Sequence, residues 1–300
     1  MSKIRLGMNP ITWSNDDDPS LGGHTPLTTC LEETKKAGFS GTELGGKFPR
    51  KPNELKNILA EFDLELVSGW FDGHIAERNV EAEFDAIMPH LYLLKELNAK
   101  VVVYADVSYR KRDWLFKPIS ECPKLKTNEW EIYGNKITKL ANLIKDFGLN
   151  MSFHHHMGTI VETDKEIDLL MENTGSSVGL LLDTGHCVFS GGNPKELVVK
   201  YAKRINHVQC KDVRKSKLEK IILNHSSFMD SIYNGIFTVP GDGFIDFTDI
   251  LSVLAAQNYQ GWLVVEAEQD PNKAHPLTYA KMGYQNLKKY ALQAGLLVAN

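Results

Sequence analysis

Four stretches in the second half of the chain, MSFHHHMGT (151–159), VGLLLDTGH (178–186), INHVQCKD (205–212) and GWLVVEAEQ (261–269), share one plan: a short apolar run ending in imidazole, carboxylate or amide side chains. Apolar runs of this length read as buried strands. One polar strand end is ordinary, since an Asp or Glu there commonly caps a helix or joins an ion pair. Four in succession describe a set of donors gathered at one end of a parallel sheet, where α/β folds carry their chemistry.

Working outward, similar runs recur along the chain, giving candidate strands at 4–9, 41–46, 65–71, 100–106, 149–156, 178–185, 205–211 and 261–268. Helical patterns separate them. Pro26 to Ala37 stops at Gly38, Pro52 to Phe62 opens on a proline suited to a first turn, and Trp130 to Phe147 stops at Gly148. Glu81 to Leu97 spaces Phe84, Ile87, Leu91, Leu94 and Leu97 on one face. Further helices are expected after the N-caps Thr163 and Asn193 and over 247–257 and 276–292. Eight such βα units fit a closed (β/α)8 TIM barrel better than an open sheet, as a single domain over residues 1–300. Two segments interrupt the rhythm, 107–127 after the fourth strand and 212–245 after the seventh. Both would be rim insertions at the C-terminal end of the barrel, placed as lids, with surface packing or subunit contact the other reading of the first.

Composition narrows the chemistry. With 42% hydrophobic and 24% charged residues the chain is that of a globular protein, and a net charge of -4 argues against a surface that neutralises phosphates, so no nucleic acid is expected as partner. The N-terminal MSKIRLGMNPITW lacks a secretory h-region and no run approaches a membrane span, which places the protein in the cytoplasm with no membrane partner. The cysteines Cys30, Cys122, Cys187 and Cys210 form no CxxC pair and read as reduced thiols. Association into a homo-oligomer is left open.

Alternate residues of a barrel strand face inward. Ser152, His154 and His156 therefore share a face, as do Leu181 and Asp183, then His207, Gln209 and Lys211, then Val264, Glu266 and Glu268. The last inward position before each rim gives His154, Asp183, Gln209 and Glu266 as candidate metal ligands. One imidazole, two carboxylates and an amide suit manganese, cobalt or magnesium better than a structural zinc. His156, His186 and Lys211 are the catalytic candidates: imidazoles exchange protons near neutral pH, and a lysine here either has a lowered pKa or stays charged to hold an enolate oxygen. In the first half, Asn9, Trp13, Glu43, Lys47 and Trp70 are candidate substrate contacts, the indoles for the apolar faces of a sugar-like ring. The PGDG stretch (240–243) reads as a turn rather than a phosphate loop.

NPITWSNDD (9–17), GFSGTELGGKFP (38–49), HHHMGT (154–159), LLLDTGH (180–186), HVQCKDVR (207–214), FTVPGDGFIDF (237–247) and GWLVVEAEQDP (261–271) together resemble the inosose dehydratases of the xylose isomerase-like barrel superfamily, over nearly the whole chain. The resemblance implies a divalent-metal lyase, dependent on Mn2+ or Co2+, that removes water from the polyol ketone 2-keto-myo-inositol (scyllo-inosose) in myo-inositol catabolism, through a metal-stabilised enediolate to a diketo-deoxy-inositol. It adds Arg214 to the substrate contacts. The family pattern reads HVH where this chain has HVQ, so either Gln209 ligates through its amide oxygen, with weaker affinity or a shift toward manganese, or His207 substitutes. A sugar isomerase or epimerase using the same enediolate, and a polyol-binding barrel without activity, are the rival readings.

Overall fold

In the computed structural model, which describes residues 3–111, 113–118 and 121–299, the apolar runs form eight parallel strands. They are β1 (Lys3–Met8), β2 (Gly41–Leu44), β3 (Glu65–Gly73), β4 (Val101–Asp106), β5 (Asn150–His154), β6 (Val178–Asp183), β7 (Ile205–Cys210) and β8 (Gly261–Val265). Each pairs with its neighbour in chain order, and β1 closes the cylinder against β8, from Ile4 opposite Gly261 to Met8 opposite Val265. Leu297–Val298 pairs with the start of β1.

Helices cover the outside: α1 (Leu27–Ala37), α2 (Pro52–Glu61), α3 (Val80–Glu96), α4 (Trp130–Phe147), α5 (Asp164–Asn173), α6 (Thr184–Phe189), α7 (Pro194–Tyr201), α8 (Lys215–Asn224), α9 (Phe228–Tyr233), α10 (Phe247–Ala256) and α11 (Pro276–Gln293). Their ends follow local chemistry. Gly38 and Gly148 terminate α1 and α4 in the left-handed region. Thr163 and Glu166 form a capping box on α5, and the Asn193 side chain accepts from the first N–H groups of α7. Helices α6, α8 and α9 were not expected.

Strands β5, β6 and β8 stop earlier than the apolar runs suggested, at His154, Asp183 and Val265. The chain leaves the sheet where polar side chains begin, so His156, His186, Glu266 and Glu268 stand on the rim rather than in the ladder. Immediately after β6, Asp183 becomes the N-cap of α6, its Oδ1 accepting from the His186 N–H at 2.7 Å.

The main core fills the space between sheet and helices, and a second apolar cluster sits above the rim, built from Met157, Phe189, Phe228, Met229, Ile232 and Phe237 among others. It is where the two insertions meet: Pro118 and Ser227 form an antiparallel bridge, and Trp114 stacks on Phe228 at 5.6 Å. The PGDG stretch is a turn, with Gly241 at φ +90°. Buried Asp212 holds it: Oδ2 accepts from Gly241 and Gly243 N–H at 2.9 and 3.0 Å, and Oδ1 from Val213 and Ile245 N–H at 2.8 and 3.1 Å. Asp212→Ala leaves four backbone donors unpaired and should lower unfolding free energy by about 2–4 kcal/mol. Urea titration of the variant checks this, and an unchanged midpoint would show that the turn holds without the carboxylate.

Candidate active site

At the C-terminal mouth of the barrel lies a cavity of about 380 Å3, lined by Asn9, Glu43, Trp70, His154, His156, Gln209 and Glu266 of the expected residues. Gln209 is level with Asp183 on one side and Val264 on the other, so the seventh-strand amide faces the centre of the half-ring that begins at His154. A neighbouring hollow of about 350 Å3 under the first insertion is lined by Tyr109, Trp114, Cys122 and Met157 and holds none of the expected site residues.

Beneath the cavity floor, fully buried, Lys211 extends its ammonium into a nest of acceptors. Nζ donates to Glu268 Oε2 at 2.6 Å and His186 Nε2 at 2.8 Å, and lies 2.8 Å from Glu266 Oε1 and 3.6 Å from Asp183 Oδ2. Burial alone would lower its pKa, but the three carboxylates reverse the effect and hold the amine charged. The reciprocal effect is incomplete: burial pushes Asp183 up to about 6 and Glu266 and Glu268 up to about 7, even with Lys211 pulling them down. One ammonium does not neutralise three carboxylates. The methylene chain of Lys211 lies flat on Gly185, where an added Cβ would stand 2.5 Å from Lys211 Cγ.

The imidazoles have fixed tautomers. A carbonyl can only accept, so His154 Nδ1–H donates to the His155 carbonyl at 2.8 Å and His156 Nδ1–H to the Met157 carbonyl at 2.9 Å, leaving both Nε2 lone pairs available. Burial, with neighbouring cations and imidazoles, lowers the pKa of His154, His156 and His186, so the rings are neutral at pH 7. His155 faces away, its Nε2 taking the Asp183 N–H at 3.4 Å. His186 sits under His156, ring centroids 4.3 Å apart and with no exposure, in the Lys211 nest instead of over the cavity.

The structure separates the two candidates on the seventh strand. His207 is buried with Nε2–H committed to Glu43 Oε1 at 2.7 Å, whereas Gln209 reaches the cavity and its Oε1 has no partner. Asp183 Oδ2 is likewise buried and accepts no hydrogen bond, its nearest charge being the Lys211 ammonium at 3.6 Å. Ligand atoms of His154, Asp183 and His186 lie within 4.8 Å of one another, so an imidazole–carboxylate site able to take a metal is present. Two buried oxygens that accept no hydrogen bond, together with the free His154 Nε2 lone pair, are donors of the kind a divalent cation takes.

Other expected residues go elsewhere. Trp13 is buried against α1, its indole N–H on Glu33 Oε2 at 2.6 Å. Lys47 donates to the carbonyls of Gly23 and Thr25, and Arg214 clamps Asp242 and Thr238 around the PGDG turn. None of the three lines the cavity. Glu43 lines it, but each of its oxygens already accepts two donors: Oε1 from Ser68 and His207, Oε2 from Asn9 and Gln209. Trp70 stands edge-on to His154 and His156 at 5.4 and 5.1 Å, its N–H on Asp72. Sequence reasoning left Glu268, Asp72, Arg50 and Arg110 unassigned, and all four line the cavity. The EAE alternation was the signal for Glu268. Arg110, from the first insertion, carried none beyond its charge.

The model of the xylose isomerase-like TIM barrel family matches residues 31–290. The chain belongs to this family. The rhizopine catabolism protein MocC of Rhizobium meliloti is 57% identical over 300 residues, all of this chain and 92% of that protein. An inosose dehydratase of Clostridium perfringens is 40% identical over 290 residues, 96% of this chain and 98% of that one. The inosose dehydratase relatives, matched over nearly the full chain, make it an enzyme of the dehydratase type, a carbon–oxygen lyase. A crystal structure of the IOLI protein with a bound zinc atom superposes with a TM-score of 0.64 at 17% identity, covering 97% of this chain and 98% of that one, and shares the fold. Among the described residues no helix is long and apolar enough to cross a membrane.

The raised carboxyls have a stability consequence. Asp183, Glu266 and Glu268 retain protons in the fold up to about pH 6–7, whereas the unfolded chain releases them near 3.8 and 4.5. Folded protein then binds more protons than unfolded, so without metal their contribution falls as pH rises across that window. A divalent cation bound at Asp183 and Glu266 would take the place of their protons, so the rise in Tm caused by Mn2+ over EDTA should grow as pH is raised through 6–7. Differential scanning calorimetry across that range checks it, and a pH-independent rise would place the cation elsewhere.

Proposed function

We propose that this enzyme dehydrates 2-keto-myo-inositol to a diketo-deoxy-inositol, with Mn2+ or Co2+ held by His154, Asp183, Gln209 and Glu266. The observation that carries the reading is the pairing, on one cavity wall, of a neutral imidazole with a free lone pair, His156, and a carboxyl poised near pH 7, Glu268. The inosose dehydratase name of relatives spanning nearly the whole chain supports the substrate class. When bound, the cation supplies Lewis-acid polarisation of the substrate's carbonyl and neighbouring hydroxyl oxygens.

The chain's own groups do the rest. His156 Nε2 takes the proton beside the carbonyl, because its Nδ1–H is tied to the Met157 carbonyl and only Nε2 can accept. Lys211, held charged beneath the cavity floor by its carboxylates, touches no substrate atom but adds a positive potential under the place where negative charge builds. Glu268 carries a proton near neutrality and delivers it to the departing hydroxyl, a task for which buried His186 lacks access. His186 instead accepts from Lys211 and fixes the ammonium. Trp70 offers its ring to the apolar face of the cyclitol, and Asp72, Arg50 and Arg110 offer partners for its hydroxyls.

Incubation of the Mn2+-loaded protein with scyllo-inosose should yield a product lighter by one water. Glu268→Gln, which keeps size but cannot donate an acidic proton, should lower kcat by about 10²- to 10⁴-fold with little change in KM. An isobaric product would identify an isomerase or epimerase, and binding without conversion a polyol-binding barrel. Either result overturns the proposal.

A further inference from the structure

We infer that Glu43 is a positioning residue that holds the Gln209 amide with its carbonyl oxygen turned toward the cation site, so that the seventh strand offers oxygen and the site favours Mn2+ over softer divalent ions. This rests on the cation site proposed above and deepens it.

The oxygen and nitrogen of a glutamine amide are nearly the same size, so shape does not decide which faces the cavity. The partner decides. Glu43 Oε2 sits 2.9 Å from Gln209 Nε2, and an ionised carboxylate can only accept. Flipping the amide would set its oxygen against a carboxylate oxygen at that distance. Glu43 cannot turn to relieve this, because Ser68 and His207 each donate to Oε1 at 2.7 Å and Asn9 donates to Oε2 at 2.7 Å. All four acceptor directions are filled, and the side chain is buried.

What remains is Gln209 Oε1, buried, unpartnered and on the cavity wall. An amide oxygen is a harder donor than an imidazole nitrogen and suits manganese better than zinc or cobalt. Glu43 is tied to a second proposed ligand through Asn9. Asn9 Oδ1 accepts the Ile11 N–H at 2.9 Å, so Nδ2 must face the other way, bridging Glu43 Oε2 and Glu266 Oε2 at 2.7 and 2.6 Å. The carboxylate at the end of β2 thus sets the amide direction at Gln209 and shares the Asn9 donor with Glu266.

The test uses the full chain stripped with EDTA, with Mn2+ binding read from loss of the free-ion EPR signal and Mn2+ and Zn2+ affinities from calorimetric titration. Glu43→Gln should weaken Mn2+ binding about 10- to 100-fold, the size of effect expected when a group orienting a ligand is lost. The swap Glu43→Gln/Gln209→Glu keeps net charge, reverses the hydrogen bond and presents oxygen in either orientation, so it should restore Mn2+ binding. Gln209→His should lower the Mn2+ to Zn2+ affinity ratio by about tenfold or more. Unchanged Mn2+ binding in Glu43→Gln, a swap variant as weak as the single one, or an unmoved ratio in Gln209→His overturns the inference. If Glu43→Gln fails to fold, as circular dichroism will show, the other two variants decide. Wild-type protein that converts inosose while Glu43→Gln binds Mn2+ normally removes this inference alone. The expected Mn2+ pattern without conversion removes only the proposed reaction. Wild-type protein that binds no divalent ion overturns the inference together with the cation site.

Discussion

Burying one ammonium among three carboxylates at the mouth of the barrel leaves negative charge uncompensated, and the surrounding architecture answers that imbalance. Lys211 is buried because the strand end at Cys210 sends the next side chain inward, under Glu266 and Glu268 and beside Asp183. Removing a member of such a cluster strands the others, at a cost of order 3–5 kcal/mol, a large share of the ~5–15 kcal/mol by which a domain is stable at all. The nest is therefore tolerated for chemistry rather than for stability. Its carboxyls hold protons up to about pH 6–7, so a second positive charge placed among them would be favoured.

Division of labour around the barrel follows. Strands β5 to β8 carry the groups with free lone pairs, while β1 to β3 carry Asn9, Glu43 and Ser68, whose donors and acceptors are spent on one another and on the far side of the ring. One half presents free donor atoms, and the other is hydrogen-bonded within itself and across to the first. The aromatic surface of Trp70 and the rim insertions supply the apolar cover.

Much of this was legible in the sequence because a barrel strand is a short apolar run with strict alternation of faces. All eight strands and eight of the helices stand where periodicity and caps place them. Alternation also picked out His154, Gln209 and Glu266, all in a strand or one residue past its end. It has no authority farther out. Trp13 lies beyond the turn Pro10–Thr12, which rotates it into the helix layer, and Lys47 and Arg214 stand several residues past β2 and β7, where loop hydrogen bonds claim them. Glu43 stands on the cavity as expected, but alternation could not show that its oxygens are saturated, since that depends on partners from β3, β7 and the turn after β1. Helix α6 was missed because THR-GLY-HIS-CYS-VAL-PHE (184–189) is too short to show a period, its start being set by Asp183 from the strand before it.

The flat contact between Gly185 and the Lys211 methylenes reaches beyond the geometry of one site. Because a methyl group at 185 would overlap the lysine stem, the two positions are constrained to drift together. Lineages that keep the long cation on the seventh strand are confined to glycine after Asp183-Thr184, and a larger residue there becomes admissible only alongside a shorter one at 211. Covariation of this pair across a barrel lineage would thus record where the buried ammonium was gained or abandoned.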